Sequence, residues 1–165
     1  MGNLGKAGGG GVIRDHRGCW VQGFARKIGN TSNVIAEFWA LRDGLTTAAQ
    51  LGLTNLEVEM DAKIVIDLVL SNANSNCAYS SLLNDCRSLL RKFQQVKMQH
   101  VYREVNKVAY GLARMGCTQQ ADFVTFTAPS PPPPSSPEVY SLALFDINDL
   151  YSLRRSADVV TAMDS

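Results

Sequence analysis

The chain has 165 residues, a formal net charge of +1, and 45% hydrophobic against 19% charged residues, the composition of one ordinary globular domain. A near-neutral balance excludes recognition of nucleic acid by bulk charge, so any such role must come from a local groove. Four scattered cysteines, Cys19, Cys77, Cys86 and Cys117, form no Cys-x-x-Cys pair, which suggests neither a zinc site nor a disulfide framework and predicts reduced thiols in an intracellular protein, and the apolar stretches are too short for a spanning helix, so no membrane contact is expected.

Taken in order, Gly8 to Gly11 reads as a flexible entry to a strand at Val12-Ile13-Arg14. Asp15-His16-Arg17-Gly18 then reads as the turn of a hairpin whose second strand runs from Cys19 to Ile28. Ile35, Phe38, Trp39, Leu41, Leu45, Ala48 and Ala49 recur at helical spacing, with Ser32 or Asn33 as N-cap and Gly52 as stop. Leu56 to Asp61 alternates as a strand and hands over at Asp61 to a short apolar helix, Ala62 to Leu70. After a polar loop, Leu82, Cys86, Leu89 and Phe93 mark an amphipathic helix, Val96 to Arg103 a strand, and Val105 to Met115 a last helix closed by Gly116. This order fits a mixed sheet packed by helices.

All six prolines lie between Pro129 and Pro137. They divide the chain into a domain over 1–128, an extended linker over 129–137, and a tail over 138–165 whose apolar cluster is expected to dock. A PxxP-type ligand at Pro131 to Pro134 is the alternative to a plain linker.

Carboxylates are the one suggestively placed chemical group. Asp61 stands at a strand end, where sites in α/β sheets gather. Glu37 is read in the first turn of the preceding helix. Two such acids could hold a divalent cation; a helix-dipole role for Glu37 and an N-cap role for Asp61 stay open beside that reading. His16 and His100 have no adjacent nucleophile and read as structural. Gly5-Lys6-Ala7 lacks phosphate-loop spacing. Arg87, Arg91, Lys92 and Lys97 read as an ordinary solvated helix face rather than a track for a phosphate backbone.

Three motifs in fixed order carry a resemblance: Ala36-Glu37-x-x-Ala40-Leu41-x-x-Gly44-Leu45-x-x-Ala48; Glu59-x-Asp61; and His100-Val-x-Arg103-Glu104-x-Asn106-x-x-Ala109-Tyr110-x-Leu112-Ala113. With Gly2-Asn3-x-Gly5-Lys6-Ala7-Gly8 ahead of them, they resemble the ribonuclease H type 1-like domains common in plant retroelement-derived reverse transcriptases. The resemblance runs from Gly2 to about Met115.

It implies an α/β fold, a five-stranded mixed sheet flanked by helices. It also implies a site where four carboxylates bind two Mg2+ ions and cleave the RNA strand of an RNA/DNA hybrid. Glu37 and Asp61 match two catalytic, metal-binding acids, and Asn33 and Asn106 match positions that face nucleic acid. Tyr110 stands where the family has an aspartate, and a phenol with a pKa near 10 is a neutral, poor magnesium ligand.

The family's first strand, which carries its first aspartate, lies upstream of the Gly-Asn-x-Gly-Lys segment in which this sequence starts. The expected fold is therefore a ribonuclease H-like sheet with its first, central strand missing. That slot closes up, or belongs to a longer chain, or is filled by Val139 to Asp146, for which docking on an outer face is the stronger expectation. The functional expectation is a hybrid ribonuclease with little or no turnover. The alternative is a non-catalytic nucleic-acid- or partner-binding module.

Overall fold

The computed structural model describes residues 5–74, 76–105, 107–127 and 139–148. β1 (Gly5–Arg14) and β2 (Trp20–Thr31) form the hairpin and α1 (Asn33–Gln50) follows. Then come β3 (Asn55–Met60), α2 (Lys63–Leu70), α3 (Ser80–Leu90), β4 (Gln95–His100) and a 3-10 turn at Arg103–Val105. α4 (Lys107–Thr118), β5 (Phe123–Thr127) and β6 (Val139–Asn148) complete the described elements. The strands make one six-stranded sheet in the order β4-β3-β6-β1-β2-β5.

The hairpin turn is fixed by its own residues. Asp15 Oδ1 accepts the N–H groups of Arg17 at 2.9 Å and Cys19 at 2.8 Å. Gly18 supplies a φ of +80° that a side chain would resist. α1 ends as its sequence predicts: the N–H of Leu51 bonds Thr47 O, that of Gly52 bonds Ala49 O, and Gly52 takes a φ of +73°.

The middle of the sheet overturns the expectation for the tail. β6 does not dock on an outer face and the central slot is not empty. β6 lies between β1 and β3, antiparallel to β1 from Ala7↔Asn148 to Arg14↔Ser141 and parallel to β3 from Asn55↔Val139 to Glu59↔Ala143. The driving force is the one that makes open edges costly: without a central partner, β1 and β3 would each leave a row of backbone donors and acceptors unsatisfied. Leu142 is fully buried there, beside Ile13 and Val58 in the main core.

The glycine run is also corrected, because Gly8 to Gly11 lie inside β1 rather than before it. A Cβ at Gly8 would stand 2.5 Å from Ala113 O, and one at Gly10 would stand 2.4 Å from Ala113 N. Absent side chains thus let α4 settle directly on the strand. Gly116 does not close α4, which continues to Thr118; its missing Cβ makes room for Arg26 O, 2.3 Å from where that atom would sit. The strand read to Arg103 stops at His100, and β5, which extends β2 from Gln22↔Thr127 to Arg26↔Phe123, had no counterpart in the sequence reading.

Two apolar clusters cover the sheet. Phe24, Phe38, Leu41, Leu45, Leu56, Met60, Leu83 and Leu142 anchor the larger one on the side of α1, α2 and α3. Each such side chain contributes about 1.5–3 kcal/mol by leaving water. Val12, Ala109, Leu112 and Ala113 form the smaller one under α4. The proline-rich stretch, its PxxP segment and the tail beyond 148 lie outside the described residues.

Candidate carboxylate site

The topology brings the C-terminal end of β3 and the N-terminal end of α1 to one end of the sheet. α1 starts directly after β2, whose Thr31 pairs with Gly5 at the start of β1. That end of β1 lies beside the last residues of β6, and β6 runs parallel to β3. Asp61 therefore leaves β3 toward the end of the sheet at which α1 begins.

Glu37 is the fifth residue of α1, beyond its first turn, and is only 5% exposed. The sequence reading in the first turn is corrected, and with it goes the helix-dipole role, which acts at the exposed terminal turn. Ala40, one turn further on, packs over Gly9 of β1, where a Cβ would lie 3.4 Å from the alanine methyl.

Asp61 does not cap α2 either: the N-cap is Ala62, with no side-chain cap bond. Instead its Oδ2 accepts Arg103 Nε at 2.9 Å, and His100 Nε2 stands 3.1 Å from its backbone oxygen. Asp61 Oδ1 is buried and meets no hydrogen-bond donor among the described residues. A buried carboxylate oxygen without a donor costs free energy unless a cation or a donor reaches it. That orphaned atom, with Glu37 entering from α1, fits a hard cation that takes oxygen ligands.

Arg103 is a participant that the sequence reading quoted inside a motif without assigning it a role. Its spacing from His100 was the available signal. His100 ends β4 and Arg103 follows it, and the parallel pairing of β4 with β3 delivers both beside Asp61.

The remaining candidates separate. Asn33 is exposed at the first position of α1. Asn106 lies outside the described residues. Tyr110 lies in the first turn of α4 and packs, half-buried, against the Val12, Ala109, Leu112 and Ala113 cluster. Among the described residues no three His, Cys, Asp or Glu side chains are grouped so as to hold a metal ion.

Other charged and nucleophilic groups serve the fold. Arg87 donates to the backbone oxygens of Leu68, Ser71 and Ala73 at 2.8, 2.6 and 3.1 Å, so it is a brace for the α2 exit rather than part of a basic ridge. Asp43 is held by Arg26, which also faces the Trp39 and Phe123 rings at 5.0 and 4.9 Å. Burial pushes the Asp43 carboxyl above its usual pKa against the pull of that arginine. The buried Cys86 thiol is pushed up to about 12, chiefly by burial, and is therefore inert. No described helix is long and apolar enough to cross a membrane.

A mixed sheet with helices on both faces and acids at the end of β3 defines the ribonuclease H-like class. Ribonuclease H1 of Halobacterium salinarum superposes with a TM-score of 0.64 at 29% identity, over 70% of this chain and 89% of that one. The N-terminal ribonuclease H domain of a Mycobacterium tuberculosis protein gives 0.65 at 28%, over 71% and 86%. A ribonuclease H1 from compost, solved with an RNA/DNA hybrid, shares the fold at a TM-score of 0.63 and 23% identity, over 71% and 89%.

Residues 2–116 match the reverse transcriptase-like family, and the chain belongs to it. An Arabidopsis thaliana protein provisionally named a ribonuclease H protein is 34% identical over 125 residues, which make up 76% of this chain. This chain spans 20% of the length of that relative.

Proposed function

We propose that the chain is a nucleic-acid-binding ribonuclease H domain that takes RNA/DNA hybrids and hydrolyses their RNA strand with Mg2+, at a turnover reduced by the phenol of Tyr110. The observation that carries this reading is the buried Oδ1 of Asp61, a carboxylate oxygen at a strand end with no described donor. Glu37 and Asp61 would hold Mg2+, which would supply Lewis-acid activation of water and charge stabilisation for the leaving oxygen of a phosphodiester.

The protein's own residues supply the frame. Glu37 enters from a helix whose neighbours Ala36 and Phe38 are fully buried, which fixes its position. Arg103 holds one oxygen of Asp61 and leaves the other for the cation. Asn33, exposed at the start of α1, is the residue assigned in this reading to the backbone of the hybrid.

The test is cleavage of a labelled RNA/DNA hybrid by the purified chain, read beside hybrid binding in Ca2+. The expected result is binding with slow Mg2+-dependent cleavage, abolished in Asp61→Asn and raised by Tyr110→Asp. Hybrid binding that persists with no cleavage in either the native chain or Tyr110→Asp establishes the non-catalytic module instead. Absence of hybrid binding defeats both readings.

A further inference from the structure

Exposed apolar side chains scattered singly over a surface are ordinary and ask for no partner. Tyr102 differs in degree and in place. At 74% exposure it is the most exposed large hydrophobic side chain among the described residues, ahead of Leu70 at 62%. It stands in the short link between β4 and the 3-10 turn, and that link is tied to the end of β3 at every step. The Val101 N–H donates to Met60 O at 3.0 Å, which carries the pairing of β4 with β3 one residue past His100. Before Tyr102, His100 Nε2 lies 3.1 Å from Asp61 O; after it, Arg103 Nε donates to Asp61 Oδ2 at 2.9 Å. Tyr102 is therefore held at the rim of the carboxylate site.

Its ring is set as well. The His100 and Tyr102 rings meet edge to face, with centroids 5.6 Å apart and planes at 76°. A contact of that kind covers at most one face of the phenol, whichever ring supplies the edge. At least one face stays open beside Asp61, a platform of the kind on which nucleotides pack. The platform alone names no ligand. Asp61 Oδ1, buried and without a donor among the described residues, is the second observation, because a cation held there draws the phosphate oxygens of a strand to the same rim.

From this juxtaposition we infer that Tyr102 is a nucleotide-contact residue, whose open ring face packs on a nucleotide of the strand held at Asp61. The partner is a ring face of that nucleotide, its sugar where the hybrid is paired or its base where it is not. The inference rests on the proposed hybrid-binding reading and deepens it, since it names a side chain that grips the strand without touching a phosphate.

Hybrid binding by the full chain in Ca2+ tests it, read by fluorescence anisotropy on a blunt hybrid and on the same hybrid with an unpaired RNA extension. Tyr102→Ala is expected to weaken binding at least about fivefold, the low end of what losing a stacked ring costs. Tyr102→Phe keeps the ring and should bind as the native chain does. Leu70→Ala, which removes another exposed side chain at the far end of α2, should do the same. A loss on both substrates assigns the contact to a sugar of the paired strand, and a loss confined to the extended substrate assigns it to an unpaired base. The slope of log affinity against log salt should stay that of the native chain, because it counts phosphate contacts.

A second readout needs no loss of the ring. The Tyr102 ring resonances of the native chain, identified by their absence from Tyr102→Phe, should shift as hybrid is added. If Tyr102→Ala binds both substrates like the native chain, if its salt slope falls, if Tyr102→Phe binds as weakly as Tyr102→Ala, or if the ring resonances do not move, the inference is overturned and the proposed function stands. If the native chain binds no hybrid, both fall.

Discussion

On the face that carries α1, α2 and α3, large side chains such as Phe24, Phe38, Leu41 and Leu45 interlock in a continuous core. On the face that carries α4, the buried cluster is Val12, Ala109, Leu112 and Ala113, and the helix backbone comes down on glycines 8 and 10. The first face holds its helix by filling space and the second by leaving it empty. The difference separates two residues: Glu37 sits in the filled face, while Tyr110 joins the thin cluster as a packing group.

The strongest way to break the comparison is to remove the strand that the two faces share. A chain ending at Thr127 lacks β6 and leaves β1 and β3 unpaired at the centre, so it should show no cooperative urea transition by circular dichroism. A native-like sigmoid would show that the two faces do not depend on β6.

Phe38→Ala probes the filled face and should cost about 3–5 kcal/mol in urea unfolding, the usual range for deleting a buried ring. The empty face is probed by addition rather than deletion. Gly10→Ala drives a methyl into the backbone of Ala113 and should cost about 1–3 kcal/mol. Gly9→Ala first meets the Ile28 and Ala40 side chains, at 3.3 and 3.4 Å, and should stay within about 1 kcal/mol. Equal effects from the two glycines would show that close approach of α4 does not set the requirement.

The smallest effect concerns the turn that joins the first two strands. The N–H of Cys19 beside Asp15 holds its carboxyl below the usual carboxylate pKa. Its contribution to stability is full above the unfolded value of about 3.9 and fades as pH falls through the lower folded one. The stability gap between the native chain and Asp15→Asn should be flat from about pH 5 to 8 and shrink below about pH 4.

Local order was legible where local chemistry decides it. The spacing of Phe38, Leu41, Leu45 and Ala48 announced α1, and strict alternation from Leu56 announced β3. Glu37 and Asp61 stood out because each lies in a recognisable motif on such an element. What escaped was pairing: the apolar run from Val139 showed that a strand could form, but neighbours are chosen by open edges elsewhere in the chain. For the same reason the glycines of β1 looked like a loose entry, since the helix that needs their bareness comes a hundred residues later.

The place of β6 also dictates when the domain can finish folding. The ribosome releases β6 after all the other described strands, yet it is the one around which β1 and β3 close. Until it emerges, the nascent chain carries two open edges at its centre, the condition that recruits chaperones and invites aggregation. Completion then depends on a contact between segments far apart in sequence, which is slow to form. Maturation of this domain is therefore gated by the emergence of β6.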